Sequence, residues 1–476
     1  MSNDRVRRPS RPDRGRPAPR KDGPRRPPPP VDPARRVALD VLRAVRERDA
    51  YANLMLPDLL RERRITGRDA ALATELTYGT SRAQGLLDAI IGVNVDRPVA
   101  KVDPIVLDGL RLGAYQLLRT RIPPHAAVTS TVDLVREDAG SHVAGFVNAV
   151  LRGVSEKDEE AWLAELAPDE DTDPIGSFAL RTAHPRWVAR SFAEALGDKG
   201  AELKAALMAD DARPEVHLIA RPGEISADEL AAITGGDTAP YSPYGVHLPA
   251  GTGDLTGLEP VQQKLAAVQD EGSQLCAIAA TKVPLTGTDE RWLDLCAGPG
   301  GKAALLGALA AMVGATVDAV EKAPHRAGLV KGATEGLPVT VHVADGRESG
   351  LTPGYDRVLV DAPCSGLGAL RRRPEARWRR QPSDVADLTK LQGQLIAAAL
   401  ELVRPGGIVT YVVCSPHLAE TEGVIGEEAR RAKAEVIDAR EFFPGVPLLG
   451  DGPYVQLWPH RHGTDAMFCA VIRKPE

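Results

Sequence analysis

No apolar run in this chain reaches the roughly 20 residues that a helix needs to cross a bilayer, and the Arg/Pro-rich start has no apolar core of the secretory kind. A cytoplasmic protein with no membrane partner is expected. Cysteine is scarce, with five residues in 476, at positions 276, 296, 364, 414 and 469. An odd number without paired spacing predicts neither a disulfide framework nor a zinc site, so no metal is expected, and each thiol defaults to a buried hydrophobe. Net charge is only −6, but it is unevenly spread. Residues 1–30 carry ten Arg or Lys against Asp4, Asp13 and Asp22, a charge of +7 that leaves −13 on the remainder. With nine prolines this tail cannot build a core, so it is expected to be disordered, with a non-specific hold on RNA as one use.

What the chain does have is the stretch Trp292-Leu293-Asp294-Leu295-Cys296-Ala297-Gly298-Pro299-Gly300-Gly301-Lys302, an apolar strand running into a Gly-rich turn. An Ala/Leu-rich helix follows from Ala303 to Val313. Such a turn leaves room for a ligand against the main chain and presents unpaired N–H groups. The spacing fits neither G-x-G-x-x-G nor G-x-x-x-x-G-K-[ST], because Ala303 stands where Ser or Thr would follow Lys302. Alone, the turn reads equally as a tight strand-to-helix connection. Its surroundings must decide.

Before it, Asp32-Pro33 and Asp103-Pro104 are helix-start pairs, a capping carboxylate followed by a ring suited to the first helical position. Apolar residues then recur at helical spacing, and no strand pattern interrupts them. Residues 31–155 read as an all-α bundle that could be a scaffold, a dimeriser or an RNA-binding module. Residues 156–250 read as an acidic linker followed by a small α/β segment with a strand at Val216–Ala220. In residues 251–476, strands at Trp292–Cys296, Thr316–Val320, Val339–Val343, Arg357–Val360, Ile408–Val413 and Met467–Ile472 alternate with helices. That predicts a doubly wound, Rossmann-like, mostly parallel α/β sheet with its ligands at the carboxyl ends of the strands.

Those ends carry the chemistry. Glu321 closes the second strand and Asp345 the third. Each alone is a helix cap or a solvated turn residue. Side by side, next to a Gly-rich turn, they suit a nucleoside-containing cofactor. The next strand ends in Asp361-Ala362-Pro363-Cys364, and the one after it in Val412-Val413-Cys414-Ser415. Two cysteines facing one crevice need more than the buried-hydrophobe reading. Carbon 5 of cytosine is too poor a nucleophile to take a methyl group directly, whereas a thiolate adding to carbon 6 makes it nucleophilic. A carboxyl group at the N3 edge would hold the base, which has to leave its stack to reach such a pocket. Asp361-Ala362-Pro363-Cys364 lacks the terminal aromatic of the Asn/Asp-Pro-Pro-Tyr type, which disfavours amino-group methylation.

The helical half resembles the NusB-like domain of antitermination factors and of certain bacterial ribosomal RNA methyltransferases. The matching runs are Glu75–Thr80, Leu110–Leu117, Ile122–Val128 and Phe146–Arg152. The second half resembles the Sun (NOL1/NOP2) family of S-adenosylmethionine-dependent RNA cytosine-5 methyltransferases. The resemblance implies that Cys296, Ala297, Gly298, Pro299, Gly300, Gly301 and Lys302 line the cofactor's methionine end, with Glu321 on the ribose and Asp345 near the adenine. Asp361 would serve both cofactor and base, Cys414 would be the nucleophile, and Cys364 would assist product release. Lys302 would order the pocket, and Asp465 lies in a C-terminal motif. The substrate implied is RNA, small-subunit ribosomal RNA first, and the protein is expected to be monomeric. Val412-Val413 replaces the usual Ser-Thr before the nucleophile, and Glu420-Thr421-Glu422 stands for Glu-Asn-Glu. Arg371, Arg372, Arg373, Arg377, Arg379 and Arg380 crowd around Trp378, and RNA phosphate contact is expected of them. The other readings are a transfer RNA or DNA methyltransferase, the latter using Cys364 as nucleophile, and a non-catalytic RNA-binding assembly factor.

Overall fold

The computed structural model describes residues 32–249, 252–253 and 255–476; the basic tail read in residues 1–30 lies outside them. Ten helices come first: α1 (Pro33–Arg48), α2 (Ala52–Glu62), α3 (Gly67–Val93), α4 (Pro104–Arg119), α5 (Pro124–Ala139), α6 (Ala144–Val154), α7 (Glu159–Leu166), α8 (Pro174–Arg181), α9 (Arg186–Leu196) and α10 (Ala201–Asp211). The Asp-Pro starts act as expected. Asp32 accepts from the Arg35 N–H and Asp103 from the Ile105 N–H, both at 2.9 Å. Leu39, Leu76, Leu86, Ile90, Leu110, Leu134 and Leu151 form one core from α1 and α3–α6.

The acidic start of the 156–250 segment, expected to be a linker, instead carries α7 and leads directly into α8. In α7, Trp162 and Leu163 enter the same core, and the Trp162 indole N–H donates to the Val154 carbonyl at 3.0 Å. The flanking acidic residues that made the segment look like a connector cover its outer face. Helices α8–α10 build a second core from Phe178, Phe192, Leu203 and Leu207, to which Leu367, Leu370 and Trp458 from far along the chain contribute. A small antiparallel sheet follows, made of β1 (Val216–Ala220), β2 (Asp237–Thr238), β3 (Gly245–Leu248) and β4 (Ala266–Val268) in the order β2-β3-β1-β4, with α11 (Ala227–Thr234) against it. Strand β4 belongs to this sheet although it lies past residue 250, so the sheet crosses the boundary expected there.

After α12 (Glu259–Gln262) and α13 (Glu271–Lys282) comes the large sheet: β5 (Arg291–Asp294), α14 (Gly301–Val313), β6 (Thr316–Glu321), α15 (Pro324–Ala333), β7 (Val339–Val343), β8 (Tyr355–Asp361), α16 (Ala376–Arg379), α17 (Asp384–Leu402), β9 (Val403–Val413), α18 (Glu422–Ala432), β10 (Glu435–Ile437), β11 (Val455–Gln456), α19 (Pro459–His462) and β12 (Phe468–Arg473). Strand order is β10-β12-β9-β8-β5-β6-β7; the five from β9 to β7 are parallel, β12 runs antiparallel to β9, and β10 runs antiparallel to β12 and so along the direction of the five. Order reverses between β5 and β8, which opens a crevice at their carboxyl ends. The architecture is the helical bundle followed by the doubly wound sheet that the residue pattern predicts.

Candidate active site

Because β9, β8, β5, β6 and β7 are neighbours, the residues just past their carboxyl ends line up as Cys414, Asp361–Cys364, Cys296, Glu321 and Asp345. All of these border one cleft of about 1270 Å³. Gly298 and Pro299 border it too. Ala297, Gly300, Gly301 and Lys302 do not: Ala297 is buried beneath the turn, its N–H given to the Val320 carbonyl at 2.9 Å. Gly300 takes φ +121°, and a Cβ there would press on Ala333 and Val330 of α15 at 2.9 and 3.0 Å. At Gly298 a Cβ would sit 2.1 Å from Glu321 Oε2, so only glycine lets the main chain pass that carboxylate.

Glu321 accepts from the Ala323 N–H at 2.8 Å, and Arg326 reaches both Glu321 Oε2 (3.6 Å) and the Gly298 carbonyl (2.5 Å). Asp345 is clasped by Lys322 (3.0 Å) and Arg347 (2.7 Å), and hydrogen bonding to Arg347 holds it well below the usual carboxylate range. Lys302 is buried behind Asp361, with its Nζ on Asp361 Oδ2 at 2.9 Å. Burial would lower its pKa, but Asp361 outweighs burial and raises it, so the ammonium stays charged. Asp294 at the end of β5 was part of the Gly-rich stretch but was given no role. Burial, with Asp361 adding to it, pushes its carboxyl up to about 7, and its Oδ2 has no hydrogen-bond partner among the described residues.

The two cysteine loops meet. Cys364 Sγ and Cys414 Sγ stand 3.5 Å apart. Hydrogen bonding from Cys364 lowers the Cys414 pKa, Lys302 lowers it further, and burial opposes both. The same contact, joined by burial, raises Cys364. The pair therefore sorts into a thiolate-prone Cys414 and a proton-holding Cys364. Burial pushes Cys296 up as well. Beneath the pair lies Glu420, fully buried. Its Oε1 accepts from the Ser365 N–H (2.7 Å) and Gln392 (3.1 Å), and its Oε2 from the Ser365 (2.5 Å) and Ser415 (2.7 Å) hydroxyls. Each serine follows one of the cysteines, so one carboxylate pins both loops. Sequence reasoning saw Glu420 only as part of a variant motif, because nothing local shows that it reaches back 55 residues.

Of the six arginines expected to meet RNA, three are spent inside the protein. Arg371 and Arg372 both bind Asp270 (3.1 and 2.8 Å) and Asp465 (2.7 and 3.0 Å), which gives Asp465 a place as an anchor of this loop. Arg377, with no exposed surface, binds Asp211 (2.7 Å) and Asp210 (3.3 Å). Those guanidiniums cannot also hold phosphates. Trp378 lies against Gly85 of α3, where a Cβ would come within 2.0 Å of its ring.

Among the described residues, Glu215, His217 and His247 bring metal-ligating atoms within 4.8 Å of one another. The two rings are stacked, however, with centroids 3.9 Å apart and planes 8° apart, so their in-plane lone pairs run parallel instead of converging on one ion.

Residues 285–473 match the model of the 16S rRNA methyltransferase RsmB/F family, and residues 32–156 match that of the NusB family. A Mycobacterium tuberculosis protein described as a methyltransferase is 59% identical over 457 residues, covering 96% of this chain and 99% of that one. Ribosomal RNA small subunit methyltransferase B of Citrobacter koseri is 31% identical over 456 residues, covering 92% and 98%. The crystal structure of PH0851 superposes with a TM-score of 0.78 at 20% identity, over 93% of this chain and 99% of that one, and so shares the fold. With likeness of this extent in both halves, the chain belongs to the RsmB/F family of S-adenosylmethionine-dependent ribosomal RNA methyltransferases.

Proposed function

We propose that this methyltransferase acts on carbon 5 of a cytidine in small-subunit ribosomal RNA, through a covalent bond between Cys414 and the base. The observation that carries this reading is the thiol pair, with its sulfurs 3.5 Å apart at the same sheet edge as Asp361 and with the pKa of Cys414 lowered by its hydrogen bond to Cys364.

The residues present suit the cofactor. Glu321 and Asp345, at adjacent strand ends, offer carboxylates to a nucleoside, and the Gly298 cradle, which a Cβ would fill, admits close main-chain approach. S-adenosylmethionine, when bound, supplies an electrophilic methyl group. The protein's part is to prepare the base. The Cys414 thiolate bonds to carbon 6, and the C5–C6 π electrons become available at carbon 5, which takes the methyl group. Lys302 holds Asp361 by Oδ2 and leaves Oδ1 without a protein partner among the described residues, free to bind the N3 edge of the base. Release needs loss of the carbon 5 proton and cleavage of the S–C6 bond, and Cys364 is the group positioned beside that bond. Lys302, out of the cleft, orients and neutralises, and it does not touch substrate.

The test is to map 5-methylcytidine in small-subunit ribosomal RNA and transfer RNA from cells with and without this protein. One ribosomal position is expected to lose its mark when the protein is absent. Loss confined to transfer RNA would reassign the substrate, and no loss in either would reject carbon 5.

A further inference from the structure

The cleft does not stop at the catalytic domain. Its rim includes Tyr51 at the start of α2, in the helical half of the chain, and the volume of about 1270 Å³ exceeds the roughly 300–1,000 Å³ usual for a single small ligand. Tyr51 is 46% exposed, whereas Tyr115 is 5% exposed and Tyr78 and Phe146 are half-buried against the helical cores. Arg373 and Arg379 stand 5.5 and 5.4 Å from its ring centroid. Arg379 is fixed there by the Ala50 carbonyl (2.8 Å) and by Asp49 (3.4 Å). The side chains of Arg373, Arg380 and Lys390, all on this rim, form no ion pair or hydrogen bond among the described residues. Asp49 and Asp387 line the same cleft, together with the carboxylates of Glu321, Asp345 and Asp361. The contrast with Arg371, Arg372 and Arg377 is sharp: those are consumed internally, while the arginines beside Tyr51 face the opening.

We infer that Tyr51 is a stacking platform for an unpaired nucleotide next to the target cytidine, with Arg373, Arg380 and Lys390 holding the adjoining phosphates. The inference rests on the proposed RNA reaction only for the identity of the target. A base drawn into the cleft leaves its neighbour without a stacking partner, and an exposed aromatic with cations lining the same cleft replaces that partner without regard to sequence. The helical half thereby contributes a substrate-contacting side chain to the mouth of the site.

The test uses the full-length protein and a single-stranded RNA dodecamer with one cytidine flanked on each side by 2-aminopurine. Wild type is expected to quench the 2-aminopurine at saturation, and Tyr51→Trp and Tyr51→Phe to do the same. Tyr51→Ala should bind about 10–100-fold more weakly and lose the quench even at saturation, with unchanged S-adenosylmethionine affinity and melting temperature. Arg380→Gln should flatten the salt dependence of binding and keep the quench. Undiminished quenching by Tyr51→Ala, or equal loss in Tyr51→Phe, would overturn the platform. Because this readout needs no methyl transfer, failure of the carbon 5 reading in the mapping experiment leaves it intact, and the two can fall separately.

Discussion

Cys364 and Cys414 are the residues on which the proposed mechanism turns, and the roles proposed for them separate cleanly in a denaturing gel with substrate RNA and cofactor. Cys414→Ala is expected to give neither methylation nor a covalent protein–RNA species. Cys364→Ala should still attack and transfer but release poorly, so an adduct that survives denaturation should accumulate. A DNA-type mechanism reverses the two outcomes, and purely structural thiols give no adduct from either variant. The electrostatics adds a second check. Cys414 is acidified first by Cys364 and then by Lys302. Removing either partner destabilises the thiolate and raises the pKa, so in Cys364→Ala and Lys302→Met the pH midpoint for iodoacetamide alkylation of Cys414 should move upward. Peptide mapping distinguishes Cys414 from the other thiols. An unmoved midpoint in both variants would mean that neither neighbour sets its reactivity.

The loops after β8 and β9 are held as one unit. Gly368 donates its N–H to the Cys414 carbonyl at 2.9 Å and accepts from Ala466 at 2.8 Å, and a Cβ at Gly368 would meet the Ala466 carbonyl oxygen at 2.0 Å. Glu420 supplies the second stitch. In Glu420→Ala the Ser365 N–H, two hydroxyls and Gln392 would lose a buried acceptor, each unmade bond costing about 1–3 kcal/mol. The expected result is a lower melting temperature and a kcat reduced at least tenfold, with Glu420→Gln recovering part of both. Thermal melting and steady-state kinetics check this; a Glu420→Ala variant with wild-type kcat would show that the cysteines keep their spacing without it. The strands that carry the site were readable from short apolar runs, and so were the residues at their ends, whereas the short β10 and β11 were not. Their partners were not. The bonds from Glu420 to Ser365 and from Asp465 to Arg371 span 55 and 94 residues, and no local periodicity encodes such a reach.

Across the whole molecule, the segment after Cys364 ties the catalytic half to the helices that precede it. Arg377 projects from it into the helical half, where its guanidinium also donates to the carbonyls of Asp210 (2.7 Å) and Thr182 (3.3 Å). Truncation would leave Asp210 and Asp211 short of a buried counter-charge, a loss of about 3–5 kcal/mol for a buried pair broken on one side. Arg377→Ala should therefore melt at lower temperature and open the 365–381 segment to protease while S-adenosylmethionine binding, measured by calorimetry, persists. Unchanged proteolysis would mean that the halves are held by other contacts. The same segment shows where reading the chain reaches its limit. Strand periodicity, helix-start pairs and the two Pro-Cys and Cys-Ser motifs are local properties, so the bundle, the parallel sheet and the groups at its strand ends were legible from residue order. Which arginines are free for RNA was not. A guanidinium beside an acid 100 residues away looks, in the sequence, the same as one facing solvent. Folding separated Arg371, Arg372 and Arg377 from Arg373 and Arg380 by bringing Asp270, Asp465, Asp210 and Asp211 to the first three, because burying a charge requires a partner and the rim of a cleft does not.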